Sequence, residues 1–146
     1  MTFLLDTNIL VYAVDANEPD KRAQAAALLH HLGGSGRAVL SAQTLAEFAN
    51  AAMRRLEPPL PPEQVYRQIE RYEQAFPVIA LTQVIVLEAV RGVRDYQFAY
   101  YDAQIWAAAR LNQVPYVLSE DFNSGATLEG VTFLNPFADD FDLDTL

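Results

Sequence analysis

Phe3-Leu4-Leu5-Asp6-Thr7-Asn8, close to the amino terminus, decides how the rest of the chain is read. Three large apolar residues run without alternation into an acid, then into two residues that favour the start of a helix. A short continuous apolar run bounded by a turn signal predicts a strand buried on both faces, as in the middle of a parallel sheet. Asp6 then falls at the carboxyl end of that strand, where Thr7 or Asn8 can cap the next helix. In open α/β sheets ligands bind outside the carboxyl ends of the strands. The competing reading leaves Asp6 with a capping role alone.

Outward from this stretch, residues 9–14 read as a short apolar helix broken by Asp15-Ala16-Asn17. Asn17 reads as the cap of a second helix, with Pro19 in its first turn, ending at Gly33-Gly34. Residues 38–41 form a second strand. Leu45, Phe48, Ala49, Ala52, Met53 and Leu56 recur at helical steps until a connector, Pro58-Pro59-Leu60-Pro61-Pro62, stops the helix near Glu57. Residues 63–75 read as a polar helix and 78–81 as a strand, and Thr82 caps a helix to about Asp95. An aromatic loop, 96–100, leads to a helix over 101–112 and to strands at 116–119 and 131–134. Strands alternating with helices predict parallel βαβ units and a three-layer α/β/α sandwich.

With 146 residues, 51% hydrophobic and 20% charged, the chain fits one globular domain. The expected division is one folded domain over 1–137 and an acidic tail over 138–146. No apolar run approaches the roughly 18 residues of a membrane helix, an acid at position 6 argues against a signal peptide, and cysteine is absent. A cytoplasmic protein that does not engage membranes is expected. The formal charge of −9 runs against nucleic-acid binding until its distribution is considered. Of 19 acids against 10 bases, four aspartates (Asp139, Asp140, Asp142 and Asp144) lie in the tail, leaving −5 over residues 1–138. Setting aside four candidate site acids brings the remaining surface to −1, so an anionic substrate is compatible with the chain.

Those four acids are Asp6, Glu47, Asp102 and Asp121. Glu47 lies about 200° round the helix from Leu45, away from the apolar stripe, on early turns leaving the second strand. A solvated glutamate or a capping box, Thr44-Leu45-Ala46-Glu47, is its alternative. Asp102 shares a helical face with Ile105, Trp106 and Ala109, and its first-turn position suits the helix dipole; an N-terminal cap is the alternative. Asp121 follows the strand ending at Ser119, and the neighbouring Glu120 ranks behind it. Ser119 can orient Asp121 or serve only as a turn serine. Carboxylates brought together at one sheet edge raise one another's pKa, and a divalent cation resolves that conflict. All-oxygen ligation points to Mg2+ or Mn2+; with only His30 and His31, at a helix end, zinc does not fit. Such a site hydrolyses phosphodiesters through a metal-activated water. A haloacid-dehalogenase-like phosphatase would carry an aspartate where Asn8 stands, and a receiver domain needs a late lysine, whereas the only lysine is Lys21.

Leu4-Leu5-Asp6-Thr7-Asn8-Ile9-Leu10, Ser41 through Glu47-Phe48, Tyr100-Tyr101-Asp102-Ala103, Ser119-Glu120-Asp121-Phe122 and Asn135-Pro136-Phe137 together resemble the PIN-domain ribonucleases, most nearly VapC-type toxins of toxin–antitoxin pairs. The resemblance spans about residues 2–137. It implies a PIN-like sandwich on a parallel sheet of four or five strands, metal-dependent endoribonuclease activity, a homodimer and a cognate antitoxin whose tail plugs the site. Residue by residue it implies catalytic and metal-binding roles for Asp6, Glu47, Asp102 and Asp121, with Asn8 and Ser119 in support. Members often carry a histidine-glycine pair after the last acid; here Ser124-Gly125 stands there.

For RNA contact, Arg91 and Arg94 are candidates to reach phosphates, with solvated helix arginines as the alternative. Tyr96, Phe98 and Tyr100 can stack on bases, but packing is the favoured role. Two other functions compete with the ribonuclease reading. A catalytically idle PIN scaffold that binds proteins would be expected to have lost an acid, and none is missing. A metal-dependent DNA nuclease would be expected to carry additional DNA-binding segments.

Overall fold

A computed structural model describes residues 1–146. The elements in chain order are β1 (Phe3–Leu5), α1 (Thr7–Tyr12), α2 (Pro19–Leu32), β2 (Ala38–Ser41), α3 (Ala42–Arg54), α4 (Pro62–Ala75), β3 (Val78–Ile79), α5 (Gln83–Tyr96), α6 (Tyr100–Leu111), β4 (Tyr116–Leu118), β5 (Thr127–Leu128) and β6 (Val131–Leu134). They form one sheet in the order β3-β2-β1-β4-β6-β5. The first five of these strands run parallel, and only β5 is antiparallel, paired to β6.

The unalternating apolar run builds the centre, as expected. Phe3, Leu4 and Leu5 are fully buried, and β1 pairs with β2 on one side and β4 on the other. Successive strand side chains point to opposite faces. Phe3 and Leu5 therefore enter one core with α1, α2, α3 and α4, while Leu4 enters a second with α5 and α6. This is the three-layer α/β/α sandwich. No helix is long and apolar enough to cross a membrane.

Several boundaries differ from expectation for identifiable reasons. Asp6, not Thr7 or Asn8, caps α1. Asn17 does not cap α2: the helix begins at Pro19, whose fixed φ suits a first helical position, with no side-chain cap bond. Asn17 instead donates to the Glu57 carbonyl at 2.8 Å. The strand expected over 78–81 is only Val78–Ile79. Its sole neighbour, β2, pairs Leu40 with Val78 and Ser41 with Ile79 and then turns into α3, so nothing remains to pair with Ala80 and Leu81. The hairpin partner β5 was not expected. Glu129 and Gly130, at φ 47° and 84°, form a two-residue turn of the left-handed kind that joins β5 to β6.

The acidic tail is not detached from the domain. Leu143 and Leu146 pack against the larger core, with Leu143–Thr145 in a 3-10 turn capped by Asp142.

Candidate active site

Because β1 lies between β2 and β4, the crossover direction of the sheet reverses there, and the carboxyl ends of β1 and β4 open onto the crevice where α/β folds place ligands. Asp6 leaves β1 and Ser119-Glu120-Asp121 leaves β4 at this point.

Ser119, fully buried, is the hub. Its hydroxyl donates to Asp6 Oδ2 at 2.7 Å and accepts from the Asp121 backbone N–H at 3.0 Å and from Asn8 Nδ2 at 3.3 Å. Asn8 Nδ2 also donates to Asp121 Oδ2 at 3.2 Å, leaving Asn8 Oδ1 buried without a partner. The other oxygen of Asp6, Oδ1, accepts the Thr7 N–H at 2.7 Å. Asp6 is thus the cap of α1 and also stands at the acidic edge.

Glu47 arrives on α3. Ser41, at the end of β2, caps that helix by accepting the Thr44 N–H at 3.0 Å, so Thr44 and Glu47 form no capping box. Glu47 is half-buried and accepts from Thr7 Oγ1 at 3.2 Å and from Gln43 Nε2 at 2.6 Å. Gln43 Nε2 also donates to the Tyr101 carbonyl at 2.9 Å. Gln104 Nε2 donates to Gln43 Oε1 and Tyr100 Oη to Gln104 Oε1, each at 2.8 Å. This buried ladder ties the helix of Glu47 to that of Asp102. Asp102 occupies the third position of α6, which has no side-chain cap bond; the capping alternative for Asp102 does not hold.

Burial is the main force on two of the acids. It raises the Asp6 carboxyl to about 6, against the pull of its Ser119 and Thr7 hydrogen bonds, with repulsion from Asp121 and Glu47 adding. Asp102 is also raised, first by burial and then by Asp121 and Glu47. None of the four acids takes part in an ion pair. Glu47 and Asp121, with Thr7, Asn8, Tyr12 and Arg55, line a cavity of about 240 Å³.

In donor chemistry, four carboxylates outside any ion pair and an unpartnered amide oxygen suit a hard divalent ion. In spacing, no three acidic or histidine side chains stand close enough to hold one ion between them. Each acid except Asp102 is held by a neighbouring polar side chain: Asp6 by Ser119, Glu47 by Gln43 and Asp121 by Asn8.

Glu120 lies outside this group. It accepts from Tyr12 Oη and, at 2.9 Å, from Lys21 Nζ, and Lys21 sits 4.7 Å from the centre of the Tyr12 ring. Arg91 and Arg94 have no contact with the four acids. Arg91 binds Glu88, Asp95 and Glu129 and lies over Trp106, and Arg94 binds Asp95. Tyr96 and Phe98 pack with Trp106, and Phe98 packs on Phe122, as favoured for that loop. His30 and His31 are exposed in the last turn of α2. Sequence reasoning missed Gln43 and Gln104. The four-residue step from Gln43 to Glu47 was the available signal, as was a lone glutamine at position 104 among Ala103, Ile105 and Trp106.

An α/β/α sandwich with an acidic switch-point crevice defines the class of protein. Residues 3–124 match the PIN domain model, and the chain belongs to the PIN-domain family. Its fold is similar to a toxin–antitoxin complex from Klebsiella pneumoniae, at 22% identity over 93% of this chain and 98% of that one, with a TM-score of 0.67. It is similar to FitAB bound to an IR36 DNA fragment, at 19% identity over 94% and 96%, with a TM-score of 0.69. It is similar too to VapC20 of Mycobacterium tuberculosis, a sarcin–ricin loop cleaving toxin, at 15% identity over 88% and 98%, with a TM-score of 0.63. No curated protein sequence matches the chain.

Proposed function

We propose that this protein is a VapC-type toxin, a Mg2+- or Mn2+-dependent endoribonuclease. What supports the reading is that Asp6, Glu47, Asp102 and Asp121 stand at one switch-point edge, near enough for Asp121 and Glu47 to raise Asp6 and Asp102, with none of the four ion-paired. Likeness in fold to VapC20, which cleaves the sarcin–ricin loop, favours RNA as the substrate.

When bound, the divalent cation supplies positive charge for phosphodiester hydrolysis and offsets the repulsion among the acids. The protein's own groups set the carboxylates in place. Ser119 and the Thr7 N–H hold Asp6, Asn8 holds Asp121, and Gln43 holds Glu47 while bracing the Tyr101 carbonyl next to Asp102. The same acidic cavity favours an arginine on an antitoxin segment, which can pair bidentately with a carboxylate.

The test is cleavage of total RNA with Mg2+ or Mn2+ and with chelator. Cleavage requires metal, and Asp6→Asn or Asp102→Asn lowers it by orders of magnitude. Equal cleavage by wild type and both variants in contaminant-free preparations rejects the assignment.

A further inference from the structure

Five of the ten Lys and Arg side chains are held in ion pairs. Arg91, Arg94 and Arg110 are matched by Glu88, Asp95 and Glu129, so the α5–α6 flank carries little free positive charge. The uncommitted arginines lie elsewhere. Arg22, at the start of α2, and Arg71, on α4, converge with Arg67 on a groove of about 340 Å³. Arg67 pairs only with Glu63, and both side chains are largely exposed, 67% and 71%, so the pair is weak. Gln64 and Gln68 complete the polar lining, and no acid lines the groove. Positions 64, 67, 68 and 71 recur at helical steps on one face of α4, about a quarter turn from the buried Val65 and Tyr72.

We infer that this groove binds the phosphate backbone of RNA beside the candidate active site; the inference rests on the ribonuclease reading. Guanidinium forks match phosphate oxygens in a bidentate geometry, and carboxamides serve phosphate, sugar and base edges. A protein partner would need buried apolar or aromatic anchors, and only two of the seven lining residues are apolar. The groove also lies a short step from the acids. Thr7 and Asn8 line the acidic cavity, and Val14, seven residues after Thr7, lines the groove. Tyr12 also lines the acidic cavity, two residues before Val14. Arg55, free of ion pairs, lines the acidic cavity itself.

The experiment measures binding of a labelled single-stranded RNA oligonucleotide to the full chain in EDTA, across a salt series. Arg22→Gln with Arg71→Gln changes the net charge by −2. Arg37→Glu, next to β2 at the opposite edge of the sheet, makes the same change elsewhere. The double variant weakens binding about tenfold or more, and it flattens the slope of log affinity against log salt by about 1.4, two phosphate contacts at about 0.7 each. Arg37→Glu moves affinity by less than about twofold, and Arg22→Lys with Arg71→Lys restores most of the loss because it keeps the charge. Wild-type affinity in the glutamine variant, from a protein that still cleaves RNA, overturns the groove and leaves the ribonuclease reading standing. Loss of affinity for a co-purified antitoxin with unchanged RNA affinity makes the groove a protein site and overturns the inference. A wild type that neither binds nor cleaves RNA overturns both readings.

Discussion

At the scale of single residues, the buried acids are held at an energetic disadvantage that can be measured without knowing the RNA target. Asp6 titrates near 6 in the fold against 3.8 ordinarily. A raised carboxyl pKa means that the folded chain holds its proton more tightly than the unfolded one. Ionised Asp6 therefore destabilises the metal-free fold at neutral pH, by about 3 kcal/mol, and the penalty is relieved as pH falls from above 6 towards 3.8. Asp95 and Glu129 are shifted the other way, Asp95 first by its Arg94 hydrogen bond and Glu129 first by its Tyr96 hydrogen bond. Their contributions fade only below their ordinary values, which leaves the window from pH 7 to 5 to the raised acids. In EDTA the unfolding midpoint at pH 5 is expected above that at pH 7. Asp102 allows the cleaner substitution, because Asp6→Asn disturbs Ser119, which already accepts two hydrogen bonds. Asp102→Asn removes repulsion of about 1 kcal/mol per close pair and loses a smaller charge–dipole contribution. In EDTA at pH 7 its midpoint rises, by roughly 3 °C per kcal/mol at this chain length, and the further rise with Mg2+ or Mn2+ shrinks. A lower midpoint with an undiminished metal shift would remove Asp102 from the site.

At the scale of elements, the placement of Asp102 depends on how α6 seats against α5. Gly92 of α5 faces the ring of Trp106: a Cβ there would lie 2.9 Å from one ring carbon and 3.0 Å from another. Trp106 is fully buried, wedged against Tyr96 and Phe98, with Nε1 donating to the Leu128 carbonyl at 3.2 Å. The ring has little room to yield. Alanine in a helix is intrinsically better than glycine by about 1 kcal/mol, and overpacking a rigid core costs about 1–3 kcal/mol. Gly92→Ala is therefore expected to lower stability by about 1 kcal/mol, read as a lower urea midpoint at unchanged slope. A variant as stable as wild type shows that the two helices slide apart without penalty.

At the scale of the whole molecule, the outward face of α5 is apolar where a solvated helix would be polar. Leu87 is 73% exposed, with Val84 and Val90 also open. The cavity on this face is bordered by Glu88, Arg91 and Arg94. An exposed apolar patch rimmed by charge marks an association surface, and we propose a second copy of the chain as its occupant. Leu87→Glu is expected to convert a dimer into a monomer in light scattering at micromolar concentration, with the fold intact by circular dichroism. A wild type that is monomeric over that range removes this face as the dimer contact.

The sequence by itself determined what depends on neighbours within about four positions. The buried run of β1, the apolar stripe of α3, the Thr82 cap and the four acids at strand ends or early helical turns all follow from strand and helix periods and from local capping. Five parallel strands were legible for the same reason; the two-residue β5 was not, because so short a strand has no periodicity. Tertiary structure alone decided which side chains meet. Glu120 left the acidic group for Lys21, 99 positions away, and Arg91 was taken by Glu129, 38 positions away. Ser119 came to bridge Asp6 and Asp121 because β4 lies beside β1. The strand order that sets these meetings arises from packing two faces of one sheet at once, a long-range condition that no local window of residues contains.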